Sequence, residues 1–246
     1  MNADPAAQRR LLELAEVDAE LARMTHRRRT LPELAETEQA EHDVRAERDA
    51  VVSAETTVGD LDRDVRKLEA EIDQVRAREE RDRGLLDSGS ISSGKQLEDL
   101  QHELATLTRR QSTLEDELLE LMERREATGA DLDRSRAALA DAEERLADAA
   151  RRRDEALADL DTAESRRIEE RAGLVPQLPE DLLALYERIR EHKGTGAALL
   201  RQRRCGACRL ELDRTAIAQL RDAPAESVQR CEECGVVLVR TAESGL

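Results

Sequence analysis

All four cysteines of the chain stand in two tight pairs, Cys205-Gly-Ala-Cys208 and Cys231-Glu-Glu-Cys234-Gly235, with 22 residues between the pairs. A Cys-x-x-Cys turn aims two sulfurs at one point. Two such turns make a tetrahedral tetrathiolate site, which selects zinc and fills its coordination shell. An iron centre or two disulfides are competing uses of the same sulfurs, but paired Cys-x-x-Cys motifs in a reducing compartment favour metal. The expectation is one structural Zn²⁺ on Cys205, Cys208, Cys231 and Cys234. Four thiolates leave no open position for a metal-bound water, so zinc-hydroxide chemistry is excluded. Gly206 and Gly235 are expected to ease the backbone angles of the two turns.

No other constellation in the sequence carries chemistry. His26, His42, His102 and His192 are scattered and read as helix-surface residues. Gly89-Ser-Ile-Ser-Ser-Gly94-Lys95-Gln96 nearly spells a phosphate-binding loop, but Gln96 replaces the Ser or Thr that holds Mg²⁺. No buried strand precedes it, and no parallel sheet exists to supply a second metal carboxylate. The chain is expected not to be an enzyme and to take no small-molecule substrate.

The elements that hold the cysteines follow from composition. Of 246 residues, 39% are charged and 39% hydrophobic, Phe and Trp are absent, and Tyr186 is the single aromatic. A compact core of this size would draw on aromatic side chains. Ala, Glu, Leu and Arg at this level indicate long helices or a coiled coil. From Leu97, steps of three and four residues run through Leu100, Leu104, Leu107, Gln111, Leu114, Leu118, Leu121, Arg125, Thr128, Leu132, Ser135, Leu139, Ala142, Leu146, Ala149, Arg153, Ala156, Leu160 and Ala163, with Gln111, Arg125, Thr128, Ser135 and Arg153 interrupting the seam. One heptad phase held that long requires a partner helix. An earlier block, Leu14, Val17, Leu21 and Met24, is out of phase with Val51 to Val75, and Pro32 stands between them. A kink is therefore expected near residues 30–44.

The Ser- and Gly-rich segment at about 84–95 reads as a loop between two arms of similar length, roughly residues 7–83 and 95–172. Such arms fold back as an antiparallel coiled-coil hairpin, each about 115 Å long at ~1.5 Å per residue. A symmetric turn places Val75 near Leu104, Leu61 near Leu118 and Leu14 near Ala163. The fold class is thus mostly α, with the hairpin over 1–175, a short connecting helix within 176–196, and a small β-rich C4 zinc ribbon over 197–246. Leu178-Pro-Glu-Asp181 starts the connecting helix, Gly194-Thr-Gly196 ends it, and Tyr186 is read as a packing residue. In the ribbon, 197–203, 209–212, 227–230 and 236–240 read as strands, and Thr215–Leu220 as a short helix or turn capped by Asp213.

Net charge is −16, yet residues 197–246 hold eight Arg against seven Asp or Glu. The acidic helical part repels nucleic acid and anionic membrane. Arg201, Arg203, Arg204 and Arg209 cluster at the first cysteine pair, with Arg190 and Lys193 just upstream. These six residues are the candidate contacts for nucleic acid or another partner. No segment approaches the run of about 18 apolar residues that a membrane span needs, and residues 1–10 show no signal-peptide pattern. A cytoplasmic monomer or weak dimer is expected.

The sequence resembles the bacterial coiled-coil proteins that carry a carboxy-terminal C4-type zinc ribbon. The resemblance rests on Leu11-Leu-Glu-Leu-Ala-Glu-Val-Asp18, Lys95-Gln-Leu-Glu-Asp-Leu-Gln-His-Glu-Leu104, Leu178-Pro-Glu-Asp-Leu-Leu-Ala-Leu-Tyr-Glu-Arg-Ile-Arg190 and Cys231-Glu-Glu-Cys-Gly-Val-Val-Leu-Val-Arg240. It implies that the four cysteines are ligands. It also implies a nucleic-acid-binding or adaptor role, so the expected function is a macromolecular adaptor acting through hairpin and ribbon, or alternatively a DNA- or RNA-binding protein using the Arg-rich ribbon.

Overall fold

Pro5 and Pro32 set where the first two helices begin. The computed structural model describes Met1–Leu246. Helix α1 spans Pro5–Arg29, with Asp4 accepting a hydrogen bond from the Ala6 N–H at 2.6 Å and His26 to Arg29 at its negative end. Helix α2 spans Pro32–Asp87. Pro32 has no N–H to give and disfavours helical angles at Leu31, so the helix breaks at Thr30–Leu31. The new phase begins at Thr37, Ala40 and Val44, all buried, which confines the expected kink to the start of the 30–44 interval.

Helix α3 spans Gly94–Leu174. The turn between α2 and α3 is only Ser88–Ser93, shorter than the 84–95 loop that composition suggests. Gly84 stays helical, at a cost of about 1 kcal/mol, and the chain turns instead at Gly89, whose φ is +64°.

The chain divides into two units, Met1–Leu34 with Arg151–Leu246, and Ala35–Ala150. In the second unit α2 and α3 run antiparallel. The buried α3 residues there, Leu114, Leu121, Leu132, Ala142 and Ala149, all lie in the expected heptad phase. Register differs from expectation. Arg76 meets Glu115 at 2.6 Å, Arg125 meets Asp62 at 2.9 Å, Arg136 meets Glu55 at 2.7 Å and Arg48 meets Glu143 at 3.1 Å. These partners lie 8 to 12 residues further along α3 than a symmetric turn places them, whereas Arg78 with Glu103 and Arg110 with Glu71 lie only two residues further, so the helices are shifted by about one heptad. Val75 accordingly lines a groove with Leu107 and Leu114. Helices flanking a short turn need not end level, and the leucine seam rather than the turn fixes register.

In the first unit a 3-10 turn at Val175–Gln177 leads to α4, Glu180–Lys193, which ends at Gly194 with φ +81°. Four short strands follow: β1 (Ala197–Arg201), β2 (Arg204–Cys205), β3 (Gln229–Arg230) and β4 (Val237–Val239). Helix α5, Arg214–Asp222, is capped by Asp213, which accepts from the Ala216 N–H at 2.7 Å. The sheet order is β2-β1-β4-β3, with β1 parallel to β4 and the outer pairs antiparallel. The strand expected at 209–212 is reduced to one bridge, Arg204 with Glu211, because the chain is still turning out of the first cysteine pair. Leu11 and Leu14 of α1, Leu182 and Tyr186 of α4, and Leu200, Val237 and Leu238 of the sheet are buried in one core.

Candidate metal centre

Each cysteine pair sits in a turn whose first cysteine is clamped on both sides by backbone. Cys205 donates its N–H to Leu210 O at 3.0 Å and accepts from the Arg209 N–H at 2.8 Å. Cys231 donates to Val236 O at 2.9 Å and accepts from the Gly235 N–H at 2.9 Å. The residue after each second cysteine is left-handed, with φ +63° at Arg209 and +79° at Gly235. Gly235 therefore has the role expected of it. Gly206 does not: its φ is ordinary, and glycine is required because a Cβ there would lie 2.7 Å from Leu199 O.

β1 and β4, hydrogen-bonded side by side, bring the two turns together. Sγ of Cys205 lies 3.7 Å from Sγ of Cys234, and Sγ of Cys208 lies 3.9 Å from Sγ of Cys231. All four sulfurs fall within 4.8 Å of one another. Four ligands at about 2.3 Å from a tetrahedral zinc stand roughly 3.8 Å apart, so the cage fits one structural Zn²⁺. Burial pushes the Cys205 thiol up to about 12 and raises Cys234, while the Leu210 backbone lowers Cys208. Four thiolates in this setting require a cation among them.

The sequence of this chain matches the description "CT398-like coiled coil hairpin domain" over residues 14–194 and "C4-type zinc ribbon domain" over residues 204–238. The chain belongs to the CT398-like coiled-coil hairpin family. A protein of Mycobacterium tuberculosis is 45% identical over 240 residues, covering 98% of both chains. A Mycobacterium leprae protein is 34% identical over 91% of this chain and 96% of its own. A solved structure from Mycobacterium smegmatis has a TM-score of 0.88 at 41% identity, covering 98% of this chain and all (100%) of its own. CT398 from Chlamydia trachomatis shares the fold, with a TM-score of 0.71 at 17% identity over 96% and 98% of the two chains.

Two signature stretches of this family member meet at one buried carboxylate. Asp18 of α1 accepts from the Tyr186 hydroxyl at 2.7 Å and from Arg171 Nε at 2.7 Å, with Arg190 Nε at 3.5 Å. Glu187 pairs with Arg171 and with Arg190. Burial raises the Tyr186 hydroxyl well above its usual range, and the Asp18 carboxylate adds to the shift. Asp18 gave no sequence signal of burial beyond its place in the opening motif. The amino terminus also went unread. Ala3 donates to Glu226 O at 2.7 Å, Val228 donates to Met1 O at 3.1 Å, and the buried Gln8 amide donates to Ala3 O and Ala225 O. The first residues are thus stitched to the ribbon.

Three of the six basic candidates are paired with acids of the same chain. Arg190 is drawn into the Asp18 cluster. Arg201 faces Glu243 at 3.7 Å and Arg204 faces Glu211 at 3.8 Å. Arg203 sits in the β1–β2 turn with φ +67°, its Nε buried without a hydrogen-bond partner. Lys193 and Arg209 are exposed.

Proposed function

We propose that this chain is a non-enzymatic zinc-binding adaptor that joins other proteins through its hairpin faces and its ribbon, in a reducing, cytoplasmic setting where thiolates hold metal. The observation that carries this reading is the pairing of candidate cations with acids of the same chain. Arg190, Arg201 and Arg204 each face a carboxylate of the same chain, which weakens the net positive field that phosphate recognition uses. Tyr186, the only Phe, Tyr or Trp side chain available for base stacking, is fully buried. A closed tetrathiolate site supports a structural rather than a catalytic metal. Extended helical faces and short strand edges are surfaces that partner helices and strands take up.

Salt-titrated binding to single- and double-stranded oligonucleotides tests the reading. The adaptor role expects no binding at low salt and retention of a protein partner from native cells by the zinc-loaded chain. Binding that falls with salt and disappears in Arg203→Glu with Arg204→Glu, zinc retained, would establish the nucleic-acid role instead.

A further inference from the structure

The outer face of α3, turned away from α2, carries an apolar pair that nothing in the chain covers. Leu119 is 61% exposed and Met122 49%, and they stand one turn apart. No other two large exposed apolar residues stand within one turn of the same helix. The neighbouring seam residues Leu114 and Leu121 are buried against α2. Helical periodicity sets Glu115, Asp116, Glu123 and Glu126 around the pair. Asp116, Glu123 and Glu126 are exposed and take part in no ion pair. Glu115 is held by Arg76 at 2.6 Å and Gln111 at 2.8 Å. Both arginines of this stretch turn elsewhere. Arg125 reaches Asp62 at 2.9 Å, and Arg124 lines a groove with Lys67 and Leu68 of α2. From Ser112 to Ala130 the face therefore holds no cation.

The charge decides what can cover the pair. Unneutralised carboxylates repel nucleic acid and anionic membrane, and they repel the same face of a second copy. A helix with apolar residues three or four positions apart covers Leu119 and Met122 along its own stripe. Lys or Arg beside that stripe meets the carboxylates, which steers the encounter and fixes its register. The methionine adds a flexible apolar surface of the kind that adapts to a partner. We infer that α3 between Asp116 and Glu126 is a docking face for a basic amphipathic helix of another protein. That helix buries Leu119 and Met122 and pairs its cations with Asp116, Glu123 and Glu126. The inference rests on the adaptor reading and gives one hairpin face its class of partner.

Labelled synthetic helices of equal length probe the face on the zinc-loaded full chain. One carries a leucine stripe flanked by lysines, a second has glutamate for lysine, and a third has glutamine for leucine. Fluorescence anisotropy is expected to show saturable binding of the lysine–leucine helix alone, weakening as salt rises. Leu119→Ser with Met122→Ser is expected to weaken it about tenfold or more. Asp116→Asn with Glu123→Gln and Glu126→Gln is expected to do the same and to flatten the salt dependence. Asp49→Asn with Asp141→Asn and Glu144→Gln removes equal charge elsewhere on the hairpin and is expected to change affinity less than about twofold. All these side chains are exposed, so helicity and zinc content are expected to hold. Equal binding of the glutamine helix, or equal loss from both charge sets, would show attraction to the acidic shaft at large and overturns the inference. So does a wild-type dimer in sedimentation that Leu119→Ser with Met122→Ser dissolves, because a second copy is then the occupant. If neither peptides nor oligonucleotides bind, the docking face falls and the adaptor reading stands. Oligonucleotide binding without peptide binding overturns both.

Discussion

Tyr186 donates its hydroxyl hydrogen to Asp18 Oδ2 at 2.7 Å, tying α4 to α1 through the only aromatic side chain in the protein. The bond has a charged acceptor and is fully buried, so its loss costs about 1.5–3 kcal/mol. Tyr186→Phe keeps the ring packing and removes only this bond, leaving Asp18 to Arg171 and Arg190.

The Tyr186 bond also sets an alkaline limit on stability. Burial and the neighbouring carboxylate raise the Tyr186 pKa in the folded chain. Below about pH 10, the unfolded value, tyrosine is protonated in both states and the contribution is fully present. Above it the unfolded tyrosine ionises while the folded one keeps its proton, so stability falls as pH rises. Denaturant melts between neutral pH and pH 11 are expected to show this fall in the wild type and a shallower one in Tyr186→Phe. Parallel slopes would show that the hydroxyl does not govern the limit.

Gly196 is expected to tolerate no side chain. A Cβ there would lie 2.5 Å from both Tyr186 Cδ2 and Tyr186 O. Tyr186 is walled in by the core, so Gly196→Ala must displace α4 or β1 at a cost of about 1–3 kcal/mol. Gly173 of α3 is the control, because a Cβ there meets nothing within 4 Å. Gly173→Ala is expected to stabilise by about 0.5–1 kcal/mol through helix propensity. Thermal melts of the two variants should therefore move in opposite directions.

Arg240 contributes five guanidinium hydrogen bonds to the segment after α5. Nη1 donates to Leu220 O at 2.8 Å and Ala223 O at 2.7 Å, and Nη2 donates to Pro224 O at 2.5 Å, with longer bonds to Ala225 O and Ser227 O. A lysine ammonium is a point charge and cannot span this arc of carbonyls. Arg240→Lys is expected to destabilise the ribbon by about 2 kcal/mol, and to raise amide exchange first at residues 223–228. Unchanged exchange there would mean that the segment is held by the Met1–Ala3 contacts instead.

The parts that were legible in the sequence are those governed by short spacing rules. The cysteine spacing located the metal cage, and the heptad phase named the α3 residues that are buried, from Leu114 to Leu160. Pro32 located the helix break. Register was misplaced because a heptad repeat is compatible with itself at every shift of one repeat, and only the cross-helix pairs choose among them. The Asp18–Tyr186 contact and the pairing of Met1–Ala3 with the ribbon span most of the chain length, and no local pattern encodes a contact of that kind. The acids that face Arg201 and Arg204, Glu243 and Glu211, are likewise set by the sheet and not by neighbouring sequence.

Metal removal separates the ribbon from the helices. The ribbon's strands share one core with α1 and α4, and structural zinc supplies about 10–16 kcal/mol in comparable peptides at neutral pH. One zinc per chain is expected by elemental analysis. A strong chelator should abolish amide protection across β1 to β4 while far-UV helicity remains largely intact, and Cys231→Ser should do the same without chelator. Burial holds the Cys205 thiol above its usual range, so without metal it is protonated at neutral pH. Zinc binding at neutral pH must therefore expel its proton, which an indicator dye in weak buffer would record. Affinity then falls as pH drops, because each thiolate must compete with a proton. Protection that survives in chelator, with no stoichiometric zinc in the purified protein, would show that the sheet is held by apolar burial and that the sulfur cage is incidental to it.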